Sequence, residues 1–391
     1  MTGKVNNMEH FITKYDVDYH EGAEYATLED SIMHKCHPVT AGSRILENFI
    51  SPLDATAITH LEATGVIILG KTKMDEFGAK GLMLSSNLPD SGLQDPTFRS
   101  GAVASVAEGT ATYALCNDFT GAVGGEAVLH NLCYIHPTYG TVSRYGLIPA
   151  VPSMDQIGIV CKTPVDGFHA LSIICGYDPK DGVMDIESMQ KCETLGDDIK
   201  DADDLRIGVP ANILAQIPDT SDVAEFIKEF TNIKFELKYF DAYAQIMQIL
   251  CCAELSNCTT RYDGIKFGYR AQGYRNLREL YTKSRTEAFG TDIKLASIIG
   301  SMVLSQDNYT RYYDKAMRIR RLIKESLEFD KYDVIIMPSR HNSSLTLALN
   351  ALPRLCGLPA ITIPFHGGGV TLIADSNCED ILFSALEAVS I

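Results

Sequence analysis

Between Pro96 and Gly140 the chain reads PTFRSGAVASVAEGTATYALCNDFTGAVGGEAVLHNLCYIHPTYG, two glycine-bearing turns that each open onto small residues, with one apolar strand between them. Small residues at a helix start let backbone approach backbone, and a turn, helix, strand, turn and helix in succession is the packing of an α/β sheet. The stretch has the outline of a catalytic centre. At the tip of its second turn, however, Thr120, Gly121, Ala122, Val123, Gly124 and Gly125 follow one another without a reactive hydroxyl or thiol at the centre.

The flanking pattern agrees with that class. Asp54 is read as the N-cap of a helix carrying Ala57, Ile58 and Leu61 on one face and ending at Gly65. Val66–Leu69 follows as a buried strand, and further strands are expected at Ala111–Leu115, Leu205–Val209 and Val334–Met337. Helices are expected over Gly101–Glu108 and Asp166–Cys175, along Tyr309, Tyr312, Ala316, Ile319, Ile323 and Leu327, and from Glu379 onward. The expected organisation is an irregular lead-in over 1–24 and a single α/β domain over 25–391. Within it, an acidic linker-like segment spans 178–204 and a mostly helical insert spans 222–330.

A formal charge of -16 argues against direct nucleic-acid binding, because phosphate contacts need clustered cations. Only Arg318, Arg320, Arg321 and Lys324 approach a cluster, and they read as the wet side of a helix. The 11 cysteines form no CxxC pair and sit in apolar segments, so they read as reduced packing residues. No stretch has signal-peptide or membrane-span character, which makes a cytoplasmic location without membrane contact the expectation. No metal or cofactor motif is present.

The segments LDATAITHLEATGVIILGKTKMDEFG, HPTYGTVSRYGLIPAVPSMDQIG, LRIGVP, RYDGIKFGYRAQG and YDVIIMPS together resemble the amidase signature family, and within it the A subunits of glutamyl-tRNA(Gln) amidotransferases. The resemblance covers about residues 25 to 391 and lacks most of the N-terminal helices such subunits carry. It implies a central mixed sheet between helices and amide hydrolysis by a serine nucleophile, a serine on a cis peptide and a neutral lysine base.

Carried over position by position, the resemblance places Glu29 where the lysine belongs, Phe98 at the second serine and Ala122 at the nucleophile, with Gly124 replacing a following arginine. Phe98 and Ala122 stand 24 residues apart, the family's own interval. Lys35, the nearby lysine, matches another position, and the glutamine-binding aspartate falls near Leu347. Phe119, Thr120 and Gly121 form the oxyanion turn, and Arg320 remains as the candidate for a ligand carboxylate.

The expectation that follows is a catalytically inactive pseudo-amidase serving as a binding, regulatory or assembly subunit. Alternatives are an active glutamine-hydrolysing amidase or amidotransferase A-type chain using non-standard residues, and an amino-acid or amide sensor. Expected partners are a B-type subunit or a second copy, with a small amino-acid or amide ligand. Bland readings stand beside these. Thr120 serves as a turn residue, Glu126 caps the helix after the turn, and Cys116 and Cys133, with His130 and His136 nearby, are packing rather than a thiol site. Glu29 is expected to pair with Arg99.

Overall fold

The computed structural model describes residues 9–79, 81–82, 100–184, 204–216, 222–229, 233–266, 268–339, 345–365 and 368–388. Phe98 and Arg99, with the expected Glu29–Arg99 pair, lie outside them. The strands are β1 (Phe11–Lys14), β2 (Tyr25–Glu29), β3 (Ile67–Thr72), β4 (Tyr113–Asn117), β5 (Cys133–His136), β6 (Ile157–Cys161), β7 (Ile207–Pro210), β8 (Ile233–Phe235), β9 (Val334–Pro338), β10 (Ala360–Phe365) and β11 (Gly368–Ala374). Together they build one mixed 11-stranded sheet in the order β1-β3-β2-β4-β6-β5-β10-β11-β9-β7-β8.

The central strands are short apolar runs such as YALCN, IGIVC and VIIMP, buried at every residue. Strands of that kind need helices on both faces, and they have them. In chain order the first helices are α1 (Thr56–Ala63), α2 (Gly101–Ala107), α3 (Ala122–Ala127) and α4 (Pro164–Ile174). One face is covered by the helix Tyr243–Thr259 packed on Thr291–Val303, and by α2 and α3 against Ala114, Cys116, Tyr134 and Val160. The other is covered by α1, α4 and the C-terminal helix Glu379–Ala388. Pairing is parallel through β3-β2-β4 and β9-β7-β8, and antiparallel between those two groups.

Several local expectations are corrected. The lead-in over 1–24 contains β1, an edge strand antiparallel to β3. Only Phe11 of its four residues is buried, so it left no readable alternation. Asp54 does not cap α1, whose N-cap is Ala55; its carboxylate accepts instead from the Lys35 amide at 2.7 Å.

The linker-like segment 178–204 begins inside the fold. Buried Asp178 accepts from Thr56 and Ser143, and Asp181 pairs with Arg144 at 2.7 Å; most of the rest, 185–203, lies outside the described residues. The helical insert 222–330 includes β8. Its long helix is divided into a wide turn at Thr310–Asp314 and a regular helix at Lys315–Glu325. Among the described residues no helix is long and apolar enough to cross a membrane.

Candidate active site

The second glycine turn leaves the end of β4 and enters α3. Asp118 holds it together. One carboxylate oxygen accepts from the Gly121 amide at 2.8 Å and the other from the Gly124 amide at 2.9 Å. From the far side Arg354 donates to the Asp118 carbonyl at 2.7 Å and approaches its carboxylate at 3.2 Å. The pair is buried, with 5% and 2% of the two side chains exposed.

Arg354 also donates to the Asn350 carbonyl at 2.9 Å, and the Asn350 amide lies 3.4 Å from the Gly121 carbonyl. Gly121 itself has φ +84, a left-handed conformation that only glycine adopts freely. A Cβ added there would lie 2.4 Å from the Cβ of Asn350.

Glu29 ends β2 beside the root of this turn. Its carboxylate accepts from the Asn117 amide at 2.9 Å and the Ser31 hydroxyl at 2.8 Å. The side chain is buried, and burial pushes its carboxyl up to about 8, against the pull of those two donors. It is therefore held largely protonated at neutral pH, a hydrogen-bonding acid at the position where the resemblance expects an amine.

The raised value makes the protein's stability depend on pH. The unfolded carboxyl ionises near 4.5 and the folded one near 8, so the folded state holds the extra proton and stability falls as pH rises through that window. Glu29→Gln keeps both accepted hydrogen bonds and removes the titration. The variant should gain on the parent by up to about 1.4 kcal/mol per pH unit across the window. Urea midpoints at pH 5 to 9 that stay parallel would contradict the burial of this group.

Around Glu29 and the turn, the other expected residues divide. Ala122 is the first residue of α3, half-buried, with a methyl for a side chain. The buried Thr120 hydroxyl accepts from the Ala122 amide at 3.3 Å. Phe119 is fully buried in the main core and does not line an open pocket. Glu126 does not cap α3; it accepts from the amide of Ser100, the N-cap of α2, at 2.8 Å and so ties the two turns together. Leu347 is half-buried against the core, and Lys35 is exposed.

Cys116 and Cys133 do not form a thiol site. Cys116 is buried and its thiol pushed well above its ordinary value by burial, while burial raises Cys133 to about 12. Burial holds His136 neutral, well below the usual imidazole range. Among the described residues no group of three or more His, Cys, Asp or Glu could hold a metal ion.

Arg320 stands away from the turn, on Lys315–Glu325. It donates to the Leu355 carbonyl at 2.6 Å, the Ser153 hydroxyl at 2.9 Å and the Ser153 carbonyl at 3.0 Å.

Sequence reasoning missed the clamp of Asp118, Asn350 and Arg354. The signal was a lone arginine inside the apolar run ALPRLC. It also missed Asn117, whose amide donates to Asp155 at 2.9 Å and whose oxygen accepts from the Gln156 amide at 3.1 Å. Burial lifts the Asp155 carboxyl to about 6. Lys71 on β3 was missed as well. It is fully buried, without a hydrogen-bond partner among the described residues, and burial brings its ammonium down to about 7.

Comparison with known proteins places this geometry. The family model described as Amidase matches residues 26–86 and 99–352. The glutamyl-tRNA(Gln) amidotransferase A subunit of Lachnoclostridium phytofermentans is 34% identical over 370 residues, 86% of this chain and 74% of the relative. That of Trichodesmium erythraeum is 32% identical over 399 residues, 92% of this chain and 81% of the relative. The crystal structure of the Thermotoga maritima counterpart superposes with a TM-score of 0.71 at 24% identity, covering 97% of this chain and 87% of that one.

These names overturn the expectation of an inactive pseudo-amidase, since the relatives are named for an amidotransferase activity. The α/β fold with a mixed sheet between helices is the one the resemblance implied. On the match of the family model and the identity to relatives along most of its length, this chain belongs to the Amidase family.

Proposed function

We propose that this chain works as the A-type component of an amidotransferase, cleaving the side-chain amide of glutamine to release ammonia with residues other than the serine, serine and lysine of its family. The observation that carries this reading is the 34% identity over 370 residues to a protein of that name. Glu29, Phe98 and Ala122 are the positions that correspond to the family's triad. A methyl at Ala122 offers no electron pair, so attack falls to water. The residue able to take its proton is Glu29, whose carboxyl at about 8 is far more basic than an ordinary carboxylate once ionised.

In that reading the proton passes from water to Glu29 and on to the departing nitrogen, leaving glutamate and ammonia. The relatives' name is that of one subunit among others, which supports an assembly with a B-type partner or a second copy as the working form.

Ammonia release from glutamine, asparagine and simple amides is the test, with the chain alone and co-purified with a B-type subunit. The rate should rise as pH approaches 8 and fall about 10²–10⁴-fold in Glu29→Gln, the usual weight of a general base. Absence of turnover in both preparations would refute the reading. Fluorophosphonate labelling of Thr120 would replace water with that hydroxyl as the attacking group.

A further inference from the structure

A cavity of about 590 Å³ opens between the helix Lys315–Glu325 and the loops at Thr138–Tyr139 and Ser376–Asn377. Its helical wall presents Arg320, Arg321 and Lys324, three cations on one side of a single cavity in a chain of net charge -16. The turn at Ala122 is not part of its lining.

The cations are unevenly neutralised. Arg321 pairs with Glu325 at 2.6 Å. The hydrogen bonds of Arg320 go to the neutral acceptors Leu355 and Ser153, leaving guanidinium N–H groups over. Its link to a carboxylate is indirect, through the Ser153 hydroxyl, which donates to Glu254. Among the described residues Lys324 enters no ion pair. Ser153 and Asn377 are also part of the lining.

A single ligand carboxylate needs one forked guanidinium. The paired terminal N–H groups of Arg320 go to Ser153 and its Nε–H to Leu355, so this cavity offers the residual N–H groups of that guanidinium, a lysine point charge farther along the same helix and a second guanidinium beside them, a set suited to an oxyanion with more than one charge. We infer that the cavity binds a small multivalent oxyanion, of the phosphate-ester or polycarboxylate class, at a site separate from the Ala122 turn. The inference does not rest on the amidotransferase reading, and either can fail alone.

Titration calorimetry of the full chain with inorganic pyrophosphate, citrate, glutamate and acetate tests it. Pyrophosphate or citrate should bind at least about tenfold more tightly than glutamate or acetate, and weaken steeply between about 50 and 200 mM salt, as screening of exposed charges requires. The stronger of the two identifies the class. Lys324→Gln with Arg321→Gln, both on exposed positions, should reduce that binding about tenfold or more while leaving the melting temperature unchanged. Binding that is equal for all four anions, undetectable at millimolar concentration, or indifferent to the double substitution would overturn the inference. Arg320→Gln provides the second reading: its binding loss should exceed that of Lys324→Gln, because the anion takes the N–H groups that Leu355 and Ser153 leave over.

Discussion

Replacing Arg354 by methionine is expected to destabilise the protein by about 3–5 kcal/mol, the usual cost of leaving one member of a buried ion pair alone. The side chain of Asp118 is 2% exposed and its charge faces Arg354 at 3.2 Å. Removing the guanidinium deprives that carboxylate of its counter-ion and frees the Asp118 and Asn350 carbonyls of their donor. The two amide donors from Gly121 and Gly124 remain, so the turn keeps its shape and bears the charge.

Asp118→Asn in the Arg354→Met background should therefore recover about 1–2 kcal/mol, a coupling within the range of directly contacting residues. Urea midpoints of the two single variants and the double variant measure it. Strict additivity would mean that the pair does not clamp the turn.

Gly121→Ala should cost about 2–5 kcal/mol. Holding a non-glycine residue in the left-handed region costs about 1–2 kcal/mol, and forcing a methyl into a filled space about 1–3 kcal/mol more. The space is filled here: the new Cβ would lie 2.4 Å from Asn350 Cβ and 2.8 Å from its Cγ. Both atoms sit close to the backbone of their own residue and have little freedom to retreat. Gly125→Ala is the control, since nothing among the described residues lies within 4 Å of its added Cβ and α3 continues through it. That change should be neutral or stabilising by up to about 1 kcal/mol. Thermal melts with equal losses at both positions would show that the clash with Asn350 is not felt.

The same residues mark what is legible in the chain. The glycine turn, its strand and its helix can be read because they are local, since small residues, an apolar run and a turn residue each act over a few positions. Glu29 and Ala122 can be matched by position for the same reason. The protonated state of Glu29 cannot be read. It depends on burial beside Asn117, 88 residues away in sequence. Arg354 reaches Asp118 across 236 residues, and nothing around either residue announces the other. Glu126 lies within α3 yet serves α2, because the two helices meet only once the sheet is assembled.

By itself the sequence determined the α/β class, the buried strands and the family, since apolar periodicity and turn chemistry are properties of neighbouring residues. Tertiary structure alone decided that the Ala122 turn is pinned by an ion pair, that a carboxyl beside it keeps its proton, and that Arg320 opens onto a separate cationic cavity. Each of these is set by which distant groups share a low-dielectric space, and charge and hydrogen-bond energies depend on that proximity, not on order along the chain.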